Sequence, residues 1–224
     1  MSDKLTACFV GHSMNKKLNN KHRFYHNGYY HVYNKVISER ELFYTETDYI
    51  EFMRRYKRYF HNYLETYAYC LLPNHFHILL KVRSEEEIRE AIVSEDTNAA
   101  RQYLAGTTTV DKFLGNQLSR FFSGLVIRYN KKHRRQGQLF KQGVKKVALN
   151  SHRTIEQQMH YIHNNPVNHG IVSDAGNWEY SSYYAYISNG STLMPREEVL
   201  NAFGGVDEFI SFHQKQYDGD VFFD

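Results

Sequence analysis

The chain has 224 residues, a net charge of +4 and 42% hydrophobic residues, which suits one domain with appendages and supplies enough apolar side chains for a core. Its apolar runs are too short to cross a bilayer, and its two cysteines, Cys8 and Cys70, lack metal-ligand spacing. With no signal-peptide pattern at the start, the composition predicts a protein of the reducing cytoplasm and argues against disulfide or membrane stabilisation.

The positive charge is concentrated in one segment. Between residues 128 and 146 there is no acidic residue, and the basic ones are Arg128, Lys131, Lys132, Arg134, Arg135, Lys141, Lys145 and Lys146. The rest of the chain is slightly acidic. This asymmetry predicts a site for a polyanion, and the eight residues are the candidate nucleic-acid contacts. The alternative is an ordinary solvated helix end and loop.

The first half of the chain predicts one strand, one helix and a hairpin. Residues 1–27 are polar and without a sustained period, which predicts a flexible N-terminal arm. Aromatic and β-branched residues predict strands over 29–37, 67–72 and 75–82, with Pro73-Asn74 as the turn of a hairpin. Helical periodicity follows Thr47, and Ser84 with Glu87 forms a capping box for a short helix.

The second half predicts a long helix, a strand and further helices. Residues 94–110 look irregular, a long helix begins at Asp111, and 143–149 form a fourth strand. The next helix is predicted to end at Asn165, since Pro166 interrupts helical hydrogen bonding. Short helices are predicted at 195–203 and 207–216. The order is that of a ferredoxin-like α+β fold: an antiparallel βαββαβ sheet with helices on one face and extra C-terminal helices. We expect an arm (1–27), a main domain (28–188) and a helical tail (189–224).

The hairpin contains a candidate metal site. His75 and His77 are two positions apart on a strand, so their imidazoles point to the same face, while Phe76 points to the other. Two adjacent neutral imidazoles suit a divalent cation. The alternative is that both histidines are only polar residues of an exposed sheet face, because a lone His-x-His pattern is a weak signal.

The helix before Pro166 contains a candidate nucleophile. Tyr161 and Asn165 are four positions apart and share one helical face. An asparagine oxygen is a reasonable third ligand for Mg²⁺ or Mn²⁺. The alternative is structural: Tyr161 as an interfacial aromatic and Asn165 as a helix cap.

Several segments together carry a resemblance to a known family. They are residues 29–36 (YYHVYNKV), 69–80 (YCLLPNHFHILL), 137–140 (GQLF), 161–172 (YIHNNPVNHGIV) and 177–183 (NWEYSSY). In order and spacing they resemble the HUH-type single-tyrosine transposases, in particular the REP-associated branch. The basic turn departs from the family at Phe140, where many relatives have tryptophan. That departure concerns DNA contacts and not the chemistry.

The resemblance implies a function and a role for each candidate. It implies a transposase that cleaves and rejoins single-stranded or hairpin DNA through a 5′-phosphotyrosine at Tyr161. His75, His77 and Asn165 would hold Mg²⁺ or Mn²⁺, and the protein would act as a homodimer with a ferredoxin-like fold. Two rivals keep the fold without the cutting activity: a DNA-binding protein that has lost catalysis, and an RNA-binding regulator that uses the same sheet.

Overall fold

The computed structural model describes residues 23–37 and 40–215 of the chain, without the side chains of His152 and Arg153. The strands are β1 (Tyr29–Lys35), β2 (Leu64–Leu72), β3 (His75–Val82) and β4 (Lys145–Leu149). The helices are α1 (Glu46–Phe60), α2 (Glu85–Ile92), α3 (Asn98–Leu104), α4 (Val110–Lys132), α5 (His152–Asn168), α6 (Tyr183–Ile187), α7 (Arg196–Phe203) and α8 (Val206–His213). A 3₁₀ turn (Ala175–Asn177) lies between α5 and α6.

The four strands form one antiparallel sheet in the order β2-β3-β1-β4. With α1 between β1 and β2 and α4 between β3 and β4, this is the ferredoxin-like βαββαβ arrangement, so the predicted fold is confirmed. The outer edge of β2 is partly covered, because Leu71 N–H donates to Tyr180 O and Ser182 N–H donates to Tyr69 O.

One face of the sheet packs against α1 and α4. Phe76, Ile78 and Leu80 of β3 point into this core, as their alternation predicts. They meet aromatic side chains of both helices, including Phe52 and Phe121, whose rings lie 5.4 Å apart in an edge-to-face arrangement. The core also contains Phe24, which is 1% exposed, so ordered packing begins before Gly28. The remainder of the predicted arm, residues 1–22, lies outside the described residues.

The other face of the sheet is covered by α5 and the helices that follow it. α5 crosses β2 and β3, and its Met159 and Ile162 pack with Leu79 of the sheet. Val199 of α7 and Phe209 of α8 complete this second core. The C-terminal helices are therefore structural parts of the sheet's covering layer.

The end of α5 differs from the prediction. The helix continues through Pro166 to Asn168, and Asn165 lies inside it. Pro166 has no N–H to donate to the carbonyl of Ile162, yet the helix continues for two residues beyond it. Gly170, two residues beyond the helix, has a left-handed φ of +66°; its N–H donates to Val167 O, and Ile171 N–H donates to Pro166 O. This pattern is a Schellman motif.

Two other features bear on the predictions. The capping box of Ser84 and Glu87 is confirmed, with both reciprocal hydrogen bonds present. The stretch 94–110, which the sequence predicted to be irregular, contains α3, whose N-cap is Thr97. That prediction was wrong because the helix is short and its capping threonine was taken as a loop signal. No helix among the described residues is long and apolar enough to span a membrane.

Candidate active site

The sheet places His75 and His77 side by side on the face that α5 covers. They pair with Lys35 and Tyr33 of β1 respectively, so all four side chains share one face. His75 is 7% exposed and His77 is 4% exposed. The alternative that both histidines belong to an exposed sheet face is therefore wrong. The sequence did not reveal this because the periodicity of a helix does not show which sheet face the helix will cover.

α5 brings Tyr161 and Asn165 to the two histidines. The ring of Tyr161 lies edge-on to His77, with 5.4 Å between ring centroids and 89° between planes. Asn165, one turn later, is 2% exposed, and its Oδ1 lies 3.1 Å from Nε2 of His75. The structure thus brings together all four residues that the sequence predicted for the site.

The contact between His75 and Asn165 has an unusual chemistry. On its other side, Nδ1 of His75 lies beside the side-chain oxygen of Asn74, and in the tautomer with its hydrogen on Nδ1 the ring donates to that oxygen. In the neutral ring Nε2 then presents a lone pair to the oxygen of Asn165, which also accepts hydrogen bonds. In that tautomer a cation shared by the two atoms would explain their separation, whereas in the other tautomer Nε2–H of His75 donates to the oxygen of Asn165.

A third histidine, His31, contacts the ring of His77; the sequence did not predict it as part of the site. Nδ1 of His77 and Nε2 of His31 are 2.9 Å apart, and His31 is fully buried. Burial lowers the pKa of His31 to about 3. Burial and the neighbouring His31 and His75 hold the pKa of His77 well below its usual range. Both rings are therefore neutral at physiological pH, and the contact with His31 makes Nε2 the candidate ligand atom of His77.

The donor set fits a divalent metal. In an octahedral site with bonds of about 2.1 Å, two neighbouring ligand atoms lie about 3 Å apart, which matches the separation of His75 Nε2 and Asn165 Oδ1. In the described part of the chain no three His, Cys, Asp or Glu residues are grouped to hold a metal ion. A site here would consist of two imidazoles and one amide oxygen, completed by water or substrate oxygens.

A second histidine cluster lies on the far side of α5. His213 Nδ1–H donates to Phe209 O, which leaves its Nε2 to accept from His163 Nδ1–H at 2.9 Å. His163 Nε2 then accepts from the hydroxyl of Ser182 at 2.8 Å, and Ser182 accepts from Tyr69 N–H. Because the carbonyl of Phe209 can only accept, it fixes which ring nitrogens of His213 and His163 donate and which accept. The cluster fixes α5 to β2 and α8, and it faces away from Tyr161, as the helical spacing predicts.

Tyr183 belongs to this second cluster. It is 6% exposed, and its ring packs against those of His163, Phe209 and His213. Burial raises the pKa of its phenol, which disfavours the ionised form. Tyr183 is therefore a poor competitor of Tyr161 as a nucleophile.

The basic segment does not form one uniform surface. Arg128 and Lys132 on α4 form ion pairs with Glu51 and Asp48 of α1. Lys146 donates a hydrogen bond to the carboxylate of Asp111, and its ammonium group lies 3.5 Å from the ring centroid of Phe24. These acids are distant in sequence, which is why the segment looked uncompensated. The other candidates are Lys131, Arg134, Arg135, Lys141 and Lys145, all exposed except the half-buried Arg135.

Fold and site together define a class: a ferredoxin-like α+β protein in which a histidine pair on β3 faces Tyr161 and Asn165 of an appended helix. The chain is 26% identical over 169 residues to a Haemophilus influenzae protein that carries the provisional name REP-associated tyrosine transposase. The match covers 75% of this chain and 86% of that protein. The resemblance seen in the motifs is thus confirmed.

A solved structure, a REP-associated tyrosine transposase bound to a REP hairpin, is also similar. It is 14% identical, the alignment covers 81% of this chain and 90% of that one, and the TM-score is 0.49. No family model matches the chain.

Proposed function

We propose that this protein is a DNA strand transferase that cleaves a single strand with Tyr161 and rejoins it to another. The observation that carries the proposal is the convergence of Tyr161 and Asn165 on His75 and His77, from elements far apart in sequence. The similarity to a protein with the name of a tyrosine transposase supports it.

The chemical step is a phosphoryl transfer without net hydrolysis. The phenolic oxygen of Tyr161 releases its proton and forms a bond to the scissile phosphorus, and the bond from phosphorus to the 3′ oxygen breaks. The 5′ side of the break stays on Tyr161 as a phosphodiester, and the departing 3′ oxygen takes up a proton. Because the ester bond is conserved, the 3′-OH of another strand can attack it and reverse the step.

Each of the other site residues positions a reacting group. His75, His77 and Asn165 would hold Mg²⁺ or Mn²⁺, which supplies charge neutralisation at the scissile phosphate. Asn74 orients the ring of His75, and His31 orients that of His77. Burial keeps His77 neutral, so its nitrogen is available as a ligand.

We also propose a substrate form and an assembly. The family that the motifs resemble implies single-stranded or hairpin DNA as the target. One tyrosine per subunit makes one cut at a time, so an excision with two cuts uses two subunits, and we propose a homodimer. Light scattering of the protein with and without hairpin DNA measures this, and a monomer in both conditions would contradict it.

A cleavage assay tests the enzymatic proposal. The wild-type protein is incubated with Mn²⁺ and end-labelled single strands that contain hairpins from the DNA flanking its own gene. Denaturing electrophoresis then shows whether a protein–DNA adduct and a free 3′ end form together. Binding without either product would favour the non-catalytic DNA-binding protein, and preferential binding of the matching RNA would favour the RNA-binding regulator.

A further inference from the structure

α5 covers only part of the sheet face that carries the candidate site. It packs on β2 and β3, and on the β1–β4 side it leaves a strip near the end of β1 accessible. The strip consists of Lys35 and Lys145, which are exposed, and Tyr33 and Val147, which are half-buried. Their common face follows from the pairing of Tyr33 with His77 on one side and with Lys145 on the other.

The strip leads directly into the candidate site. The ring of Tyr33 lies nearly parallel to that of His77, with 5.7 Å between centroids and 13° between planes. It is likewise stacked on His31, at 4.7 Å and 17°. Tyr161 stands edge-on to the same His77. A ligand on Tyr33 would therefore be next to the proposed nucleophile, separated from it by one imidazole.

The chemistry of the strip suits one class of ligand. A half-buried tyrosine ring, held flat by two imidazoles, is a rigid platform for an unpaired base. The ammonium group of Lys145 lies 5.4 Å from the centroid of the Tyr33 ring, and Lys35 is the next residue on the same face of β1. Lysine side chains are long enough to turn from a ring to a phosphate. Cations beside an aromatic platform are the features that single-stranded nucleic acids require.

We propose that Tyr33, Lys35 and Lys145 form the binding track for the single-stranded DNA next to the scissile phosphate, with one base stacked on Tyr33. This inference rests on the proposed function, since it places the track relative to Tyr161. It assigns a role to Tyr33 and Lys35, which lie outside the basic segment, and it makes a phosphate of the single strand the partner of Lys145.

Stacking and charge are separated by two probes. Fluorescence anisotropy measures the binding of the full-length protein to labelled oligothymidine and to an abasic strand of the same length. Tyr33→Leu is expected to weaken binding of oligothymidine by about 5- to 100-fold, because base stacking on an aromatic contributes that much per base. It should leave binding of the abasic strand unchanged. Tyr33→Phe, which keeps the ring, should bind both probes like the wild type.

The lysines should respond differently. Lys35→Gln and Lys145→Gln are expected to weaken binding of both probes and to reduce the slope of log affinity against log salt by about 0.7 each. Two matched controls lie off the strip. Tyr29→Leu changes a tyrosine on the same strand and face, and Lys112→Gln changes an exposed lysine of α4 on the other side of the sheet.

Several outcomes would overturn the track. If Tyr33→Leu weakens the binding of both probes equally, or if Tyr29→Leu has the same effect as Tyr33→Leu, then Tyr33 is not a stacking platform. Tighter binding of oligouridine than of oligothymidine would overturn the assignment to DNA. If the wild type cuts DNA while Tyr33→Leu binds oligothymidine normally, the track fails and the proposed function stands. If the probes behave as expected but no substrate is cut, the track stands and the proposed function fails.

Discussion

Nε2 of His75 and Oδ1 of Asn165 face each other at 3.1 Å, although 90 positions separate them in the chain. Both atoms present lone pairs to each other in the tautomer of His75 whose hydrogen lies on Nδ1 and is donated to Asn74. Such a pair is repulsive by itself in a buried environment. Its geometry is explained if the two atoms share a cation.

The first prediction therefore concerns metal binding without DNA. His75→Ala and Asn165→Leu should each reduce the affinity for Mn²⁺ by at least about 10-fold, since each removes a ligand. Asn165→Asp should raise it, because a carboxylate attracts the cation more strongly than an amide. Titration of the protein with Mn²⁺, followed by water-proton relaxation, measures these affinities.

A neighbouring histidine supplies the control for metal binding. His169 is exposed, and its ring meets that of His75 edge-on at 4.9 Å, but it was not predicted as a ligand. His169→Ala should bind Mn²⁺ like the wild type. Wild-type affinity in His75→Ala would show that a proton, and no metal, lies between His75 and Asn165.

The second prediction concerns the nucleophile. Tyr161→Phe keeps the ring that packs against His77 and removes only the hydroxyl, so binding of DNA and of Mn²⁺ should stay near wild type. No covalent adduct should form, because phenylalanine offers no nucleophile. Denaturing electrophoresis with labelled DNA measures the adduct. Tyr183→Phe is the control and should still form it; the reverse result for the two variants would mean that Tyr183 is the nucleophile.

The third prediction concerns the basic segment. Replacing Lys131, Arg134 and Lys141 by Gln should weaken DNA binding across sequences. The salt slope on single strands should fall by about 0.7 for each phosphate that the variant no longer neutralises. Arg128→Gln and Lys132→Gln should change the slope little, since Glu51 and Asp48 already compensate these charges. An equal effect of both sets would show that the ion pairs open when DNA binds.

The fourth prediction concerns acid stability. Burial lowers the pKa of His213 to about 3, whereas an unfolded histidine titrates near 6.5. Between about pH 6.5 and 3 the unfolded state therefore binds a proton at His213 that the folded state does not bind. The free energy of unfolding falls as the pH drops through this range. His213 contributes a slope of about 1.4 kcal/mol per pH unit within this window.

A conservative variant isolates this contribution. His213→Gln has no titrating group but can still accept the hydrogen bond from His163. Urea unfolding at several pH values should show a shallower loss of stability in the variant than in the wild type. Parallel pH profiles for the two proteins would mean that His213 does not resist protonation, and that His160 or His163 accounts for the acid sensitivity.

The sequence predicted those features that depend on local periodicity. Alternation along β3 places His75 and His77 together, and the four-residue spacing places Tyr161 over Asn165. The features that it missed depend on which strands pair and which helix covers which face. His31 supports His77 only through the register of β1 with β3. Glu51 neutralises Arg128 only because α1 packs beside α4. Neither relationship leaves a pattern within one segment.

The position of Tyr161 outside the βαββαβ unit limits how such a protein could lose the proposed cleavage activity. A deletion of α5 would remove the proposed nucleophile, but it would also uncover Ala68, Leu72 and Leu79, which are fully buried in the second core. An apolar sheet face of that kind promotes aggregation. A homologue that binds DNA but does not cleave it is therefore expected to retain α5 and to differ at individual side chains of that helix. We expect inactive relatives to have substitutions at Tyr161 or at the proposed metal ligands, on an otherwise complete fold.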